Sequence, residues 1–219
     1  MNTYLSVLKK TVLFSGVKEN EIEAMLSCLQ MRRQSCKKGE YVLNQGQRWD
    51  NILILIKGKL HIQQDDYWGR RSIIAGINPG GMFGESYAAP ESGALMNDVM
   101  AVEDSEVFFF NVKKIITVCS SACKFHTIVV QNLFFSLSEQ NRKLVQKMSY
   151  LSKRTTREKL IAYLSDEAKY QNTGTVSLPF NRQELANFLS VERSAMSNEL
   201  SKMRDEGLIT FHKNHFTLL

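Results

Sequence analysis

The sequence predicts an α+β protein: an antiparallel barrel or jelly roll, then a long helix, then two short helices closed by a two-stranded wing. Three observations predict it. From about Cys36 to Val112, short β-rich runs alternate with glycine-bearing turns. No Gly or Pro interrupts residues 111 to 173, and helical spacing runs through much of that stretch. Asn181 to Ile209 then reads as two short helices about a tight turn, the second ending at Gly207.

The elements follow in order. Residues 3–10 and 19–31 carry helical spacing, with Ile22, Met25, Leu26 and Leu29 on one face and Asn20 ahead of Glu21 and Glu23 as a helix start. Strands are expected at 41–43, 52–56, 59–64, 71–77, 98–103 and 106–110. Their close spacing favours antiparallel pairing over βαβ units. Leu60 and Ile62 alternate with Lys59, His61 and Gln63, as a half-buried strand does. Tyr67-Trp68-Gly69 reads as a hairpin tip, and Gly80 and Gly81 relax the backbone before Phe83.

Residues 113 to about 147 read as a long helix after a short lead-in. Phe125, Ile128, Val129, Asn132, Leu133 and Ser136 follow its period, continued by Gln140, Lys143, Leu144 and Lys147. Phe134, Phe135 and Leu137 extend the apolar cover around the cylinder. One side is expected to pack on the roll while another meets a second copy. Leu151 to Lys153 is read as a hinge. A helix at 155–169 buries Leu160, Ile161 and Leu164, and a turn at Asn172–Gly174 leads to a strand at Thr175–Leu178. Three regions result: 1–112, a roll with flanking helices; 113–150, a dimerisation helix and hinge; and 151–219, the two-helix unit with its wing.

Composition narrows the classes. The 219 residues suffice for one large or two small domains, and the net charge of +6 permits an anionic partner. Between Lys113 and Lys159 there are ten Lys or Arg residues and two acids, Glu139 and Glu158. Met1–Lys10 is too polar for a signal peptide, and no apolar run approaches the roughly 20 residues of a membrane span. A cytoplasmic protein without a membrane partner is expected. The four cysteines, Cys28, Cys36, Cys119 and Cys123, lack a Cys-x-x-Cys element, so free and mostly buried thiols are expected rather than a metal or an iron–sulfur cluster. Cys119 and Cys123 stand one helical turn apart. His61 and His126 are read as surface or packing residues, not heme ligands. Glu85, His61 and the thiols form no spaced catalytic set, so no enzyme is expected.

The two-helix unit carries the chemistry. The first helix is placed at 182–189, capped by Asn181, with Leu185, Ala186 and Leu189 facing inward. Ser190–Glu192 forms the turn. The second helix, at 193–206, is held by Ala195, Met196, Leu200 and Met203. Arg193, Ser194, Ser197, Asn198 and Lys202 then face outward. Arg193 suits guanine O6 and N7 or a phosphate, and Asn198 suits adenine or a phosphate. Ser194 and Ser197 are small enough for close approach. Arg182 is a candidate phosphate contact at the start of the first helix, and Lys213 a weaker one in the wing.

Over nearly its whole length the chain resembles the cyclic-AMP receptor protein / fumarate–nitrate reduction regulator superfamily of bacterial transcription factors. The resemblance rests on Gly39–Gly46, Ile52–Ile62, Phe83–Ser86, the long central helix and Asn181–Ile209. It implies a cyclic-nucleotide-binding-like double-stranded β-helix, a dimerising helix and a winged helix–turn–helix. It also implies a homodimer on a palindromic operator in double-stranded DNA, with RNA polymerase as a possible further partner. The family's base-reading positions fall on Arg193, Ser194 and Asn198. The family pattern of Arg-Glu followed later by Arg is kept only at Arg193, so a different operator is expected. Effector-pocket candidates are Gly84, Glu85, Ser86, Met96, Asn97 and Asn141. The Arg-Ser or Arg-Thr pair of cyclic-nucleotide binders falls near Leu95 and Met96, and no arginine lies between Arg71 and Arg142. Control by a cyclic nucleotide is therefore not expected, and an unidentified small effector stays open. The alternative is a ligand-sensing module whose last domain mainly binds another protein.

Overall fold

Two short helices, α1 (Thr3–Lys9) and α2 (Glu19–Cys28), lead into strands β1 (Arg32–Cys36), β2 (Tyr41–Leu43), β3 (Asn51–Lys57) and β4 (Leu60–Asp65). Strands β5 (Arg71–Ile77), β6 (Met82–Phe83), β7 (Asp98–Ala101) and β8 (Ser105–Asn111) follow. The computed structural model describes residues 3–65, 67–68, 71–87, 93–117 and 124–219. The strands form two four-stranded sheets of order β1-β8-β3-β6 and β2-β7-β4-β5, antiparallel throughout.

The apolar run in β3 is continuous because both faces of that strand are buried. Leu53 and Leu55 join Val107 and Phe109 of β8 against Leu60, Val99 and Ala101 of the other sheet. Ile52, Ile54 and Ile56 point the opposite way, with Phe108 and Phe110, into a second core built with α1 and α2. Each such side chain contributes about 2 kcal/mol by leaving water, so the β3–β8 pair is where the roll is anchored.

Next come α3 (Val112–Ile116) and α4 (Lys124–Leu151). Val129 and Leu133 of α4 complete the core beneath the helices. Asn132 donates from Nδ2 to the carbonyls of Leu13 and Ser15, at 3.0 and 2.8 Å. His126 is a packing residue: its Nε2 lies 2.8 Å from the carbonyl oxygens of both Lys114 and Ile115, satisfying the end of α3.

Several expectations need correction. Strands β1 and β6 were not anticipated. β1 reads Arg-Arg-Gln-Ser-Cys, largely polar and exposed at an edge, and β6 has two residues. Gln63 is buried, not outward, because a bulge between Ile62 and Gln63 breaks the alternation of β4. Helix α2 begins at Glu19, one residue before Asn20, where the Glu21 carboxylate accepts from the Lys18 N–H at 2.8 Å. The hairpin pairing Asp65 with Arg71 matches the predicted tip at Tyr67 and Trp68, while Gly69 lies outside the described residues.

Packing divides the chain into Met1–Glu139 and Gln140–Leu219, a boundary inside α4. The second unit contains α5 (Thr156–Gln171), β9 (Thr175–Ser177), α6 (Arg182–Phe188), α7 (Arg193–Asp205), β10 (Ile209–His212) and β11 (His215–Leu218). Thr155 caps α5 in a reciprocal box with Glu158, and Asn172 closes it in the left-handed conformation. Leu160, Tyr163 and Leu164 are buried, whereas Ile161, expected inside, is 42% exposed. It lies about 100° around the helix from Leu160. The sheet order β10-β11-β9 makes the wing three-stranded, since β9 pairs with β11.

Two glycines separate close approach from backbone conformation. At Gly58 (φ +92°) an added Cβ would lie 2.3 Å from Ser105 Oγ and 2.7 Å from the Asp104 carbonyl oxygen, whereas at Gly46 (φ +81°) nothing lies within 4 Å. Gly58→Ala is expected to cost on the order of 3 kcal/mol, combining strain and overpacking, and Gly46→Ala about 1 kcal/mol. Urea unfolding of the two variants checks the difference.

Candidate DNA-reading site

The site is built on α6, the following turn and α7. Asn181 Oδ1 accepts from the Glu184 N–H at 2.9 Å, and Glu184 Oε2 accepts in return from the Asn181 N–H at 2.8 Å. Leu185, Ala186 and Leu189 are buried, as expected. Ser190 sits in the turn at φ +51°, a conformation that disfavours a side chain. The carbonyl oxygens freed at the end of α6 are taken up from α5: Lys159 Nζ donates to Leu189 O at 3.1 Å and Ser190 O at 3.4 Å.

Glu192 starts α7. One of its carboxylate oxygens accepts from the N–H groups of Ser194 (2.7 Å) and Ala195 (3.0 Å), and from the Ser194 hydroxyl. That hydroxyl first, then the backbone donors, hold the Glu192 carboxyl below its ordinary range. Met196, Leu200 and Met203 are buried and fix the rotation of α7. At the far end Arg157 of α5 makes a two-pronged pair with Glu206 and lies 3.5 Å from Glu199. The same pair lowers the Glu206 pKa and raises that of Arg157.

This framework leaves the five expected residues of α7 outside the core. Arg193, Ser194, Asn198 and Lys202 are exposed, and Ser197 is half-buried. Ser197 Oγ donates back to the Arg193 carbonyl at 2.9 Å, and Lys202 Nζ lies 3.9 Å from Glu199. Ala195, expected to face inward, is exposed, so its methyl belongs to the outward surface.

Arg182 is placed differently. Its guanidinium carbon lies 4.7 Å from the ring centres of both Phe211 and Phe216, and Nη1 is buried with no hydrogen-bond partner among the described residues. Burial lowers its pKa. Arg182 and Lys213 line one cavity of about 350 Å³ with Asn181 and Asn214. Lys213 stands exposed in the tight turn between β10 and β11 at φ +53°.

The effector-pocket candidates lie on several different segments. Gly84, at φ +94°, is required by packing, since a Cβ there would lie 2.4 Å from Trp49 Nε1 and 2.9 Å from the Asn51 carbonyl oxygen. Glu85 and Ser86 begin a 3₁₀ turn ending at Tyr87. Met96 is exposed, Leu95 is buried, and Asn97 is half-buried. Asn141 is exposed on α4. Trp49 Nε1 and Gln63 Oε1 are buried in the roll without hydrogen-bond partners among the described residues. Cys36 is buried, which raises its thiol pKa, whereas Cys28 is exposed, and Cys119 and Cys123 lie outside the described residues. Among the described residues no cluster of three His, Cys, Asp or Glu side chains is arranged for a metal, and no helix is long and apolar enough to cross a membrane.

Two family models match in tandem: the cyclic nucleotide-binding domain over residues 33–122 and the Crp-like helix-turn-helix domain over residues 158–219. The chain belongs to the cyclic-AMP receptor protein / fumarate–nitrate reduction regulator superfamily of bacterial transcription regulators. It is 24% identical over 202 residues to the cyclic AMP receptor protein of Thermus thermophilus, covering 92% of this chain and 89% of that one. A crystal structure of Thermus thermophilus catabolite activator protein aligns with TM-score 0.54 at 21% identity, covering 95% of this chain and 94% of that one. The c-di-GMP-responsive global regulator CLP of Xanthomonas campestris aligns with TM-score 0.53 at 18% identity, covering 92% and 99%. DNR of Pseudomonas aeruginosa aligns with TM-score 0.51 at 20% identity, covering 100% and 95%. These likenesses establish the fold: roll, long helix and helix–turn–helix.

Two predictions follow from the turn and the caps. Ser190→Gly is expected to stabilise the chain by about 1 kcal/mol, because glycine tolerates a positive φ, which thermal unfolding measures. Glu158, Glu192 and Glu206 all have lowered carboxyl pKa values. Their stabilisation is complete above the unfolded-state value and is lost as pH falls through the folded-state values. Melting temperatures are therefore expected to hold from neutral pH down to the usual glutamate range and fall below it, with a shallower fall in Glu192→Gln.

Proposed function

We propose that the chain is a homodimeric, sequence-specific DNA-binding transcription regulator that does not respond to cyclic AMP. Residues 1–112 serve as the effector-type roll, 113–150 as the dimerisation helix and hinge, and 151–219 as the DNA-binding domain. The observation that carries the reading is the outward face of α7: Arg193, Ser194, Asn198 and Lys202 exposed on a helix fastened by Met196, Leu200 and Met203. A helix so held can enter a major groove, with Arg193 on guanine and Asn198 on adenine or phosphate. The two copies read half-sites whose centres lie about 34 Å apart. Lys213 reaches a phosphate from the wing. Arg182 supports that wing through Phe211 and Phe216.

Dimerisation is supported by the exposed apolar side chains of α4. Phe134 and Phe135 are 74% and 60% exposed, Leu144 is 62% and Met148 is 67%. Water does not favour leaving such surface open. Independence from cyclic AMP is supported by the residues where a cyclic phosphate would need its arginine. Leu95 is buried, Met96 is apolar, and no arginine occurs between Arg71 and Arg142.

Duplex selection with the full chain is expected to yield a palindrome, and Arg193→Ala to weaken binding to it at least tenfold. Affinity should fall steeply with salt. Salt-insensitive or absent duplex binding would favour a protein-binding role for the last domain. Cyclic AMP at millimolar concentration should leave the melting temperature unchanged, and a rise of several degrees would contradict the effector reading.

A further inference from the structure

From Gln140 onward α4 belongs to the second unit, and it packs there on aromatic side chains. Tyr150 meets Tyr163 of α5 edge-on, with 5.5 Å between ring centres. Phe188 of α6 lies 5.3 Å from Tyr163 and 5.0 Å from Phe180. A cavity of about 410 Å³ lies between these helices, near the lower end of the range for small-molecule sites. Tyr150, Tyr163 and Phe188 form its aromatic walls, and Gln140, Leu144 and Gln146 complete the side given by α4. Of these residues only Leu144 is shared with the exposed stripe assigned above to the dimer. The whole lining falls within the second unit, apart from the roll.

The walls are neutral. Burial first, then a neighbouring carboxylate, push up the hydroxyl pKa values of Tyr150 and Tyr163. The Tyr150 hydroxyl is spent, donating to Asp166 Oδ2 at 3.0 Å. The positive charge sits at the rim, where Lys143 is exposed and Lys147 half-buried. Lys147 Nζ lies 5.2 Å from the centre of the Phe188 ring. Neither lysine has an ion-pair partner among the described residues. Glu167, the acid in the lining, is already engaged: it accepts from Gln171 Nε2 at 3.1 Å and from the Tyr163 hydroxyl. We propose that this cavity binds a small planar aromatic carboxylate, with its ring against Phe188 and its carboxylate on Lys143 and Lys147. Each part of the lining selects one part of that ligand. Ring walls favour an aromatic body, which can pack edge-on or offset against them. Two unpaired cations against one engaged acid favour a single negative charge, whereas a cationic ligand would meet like charges at the rim. Phe188 is the last residue of α6 and adjoins Leu189, whose carbonyl Lys159 holds. A bound ring would therefore abut the end of α6. Binding here does not rest on the DNA-reading proposal.

Titration calorimetry on the full chain with 2-naphthoate tests the proposal. The wild-type chain should bind one molecule per chain with a Kd on the order of 0.1 mM. The double variant Lys143→Gln, Lys147→Gln should bind at least tenfold more weakly. Both lysines lie at the rim, so its melting temperature should match that of the wild type. The double variant Lys153→Gln, Arg154→Gln loses the same net charge at exposed positions outside the lining and should bind like the wild type. 2-Naphthalenemethanol, the uncharged analogue, should bind the wild type and the Lys143, Lys147 variant alike. Decahydro-2-naphthoate, the saturated acid, should bind the wild type severalfold more weakly than 2-naphthoate. Absence of saturable 2-naphthoate binding at millimolar concentration would overturn the site. So would unchanged affinity in the Lys143, Lys147 variant, or an equal loss in the Lys153, Arg154 variant. Equal binding of the saturated acid would overturn the aromatic assignment.

Discussion

Burial of Met196, Leu200 and Met203 sets which side of α7 is free, and the reading face depends on that one packing contact. A helix turned by a single residue would rotate Arg193 and Asn198 by about 100°. The fastening is redundant at both ends. Glu192 occupies the N–H groups at the start, Arg157 grips Glu206 at the finish, and Lys159 secures the preceding turn through Leu189 and Ser190. All three contacts involve a charged group and two of them are exposed, so those two add little alone. Their role is orientation, layered on an apolar core that supplies the stability.

The first unit follows a different logic. Its centre is the β3–β8 pair, apolar on both faces, with one face given to the second sheet and the other to the helices. The roll retains the family's Gly84 and Glu85, but Gly84 is accounted for by Trp49 pressing against it. A retained motif can thus be a packing constraint rather than a sign of a retained ligand.

Much of this was legible in the sequence. The period-two pattern and glycine turns located most strands of the roll, and caps at Asn181 and Gly207 bracketed the two-helix unit, because these signals are local. What was illegible depends on distant partners. Edge strand β1 is polar and pairs with a strand more than seventy residues later. The burial of Gln63 follows from a bulge. Arg157 and Lys159 act on α6 and α7 from a helix whose sequence alone looks like an ordinary basic surface. The packing of Arg182 was not legible, because the wing aromatics that hold it lie some thirty residues on. Glu192 was readable as an N-cap, since an acidic residue directly precedes the helical run, although it was assigned only to the turn.

The central claim is that two copies present Arg193 into successive major grooves on one side of a duplex. Methylation interference at guanine N7 on the selected operator tests it most directly. The account predicts two symmetry-related guanines, about one helical turn apart, whose methylation blocks the wild-type chain and no longer discriminates in Arg193→Ala. A single unpaired guanine, or a pattern unchanged by Arg193→Ala, would contradict it.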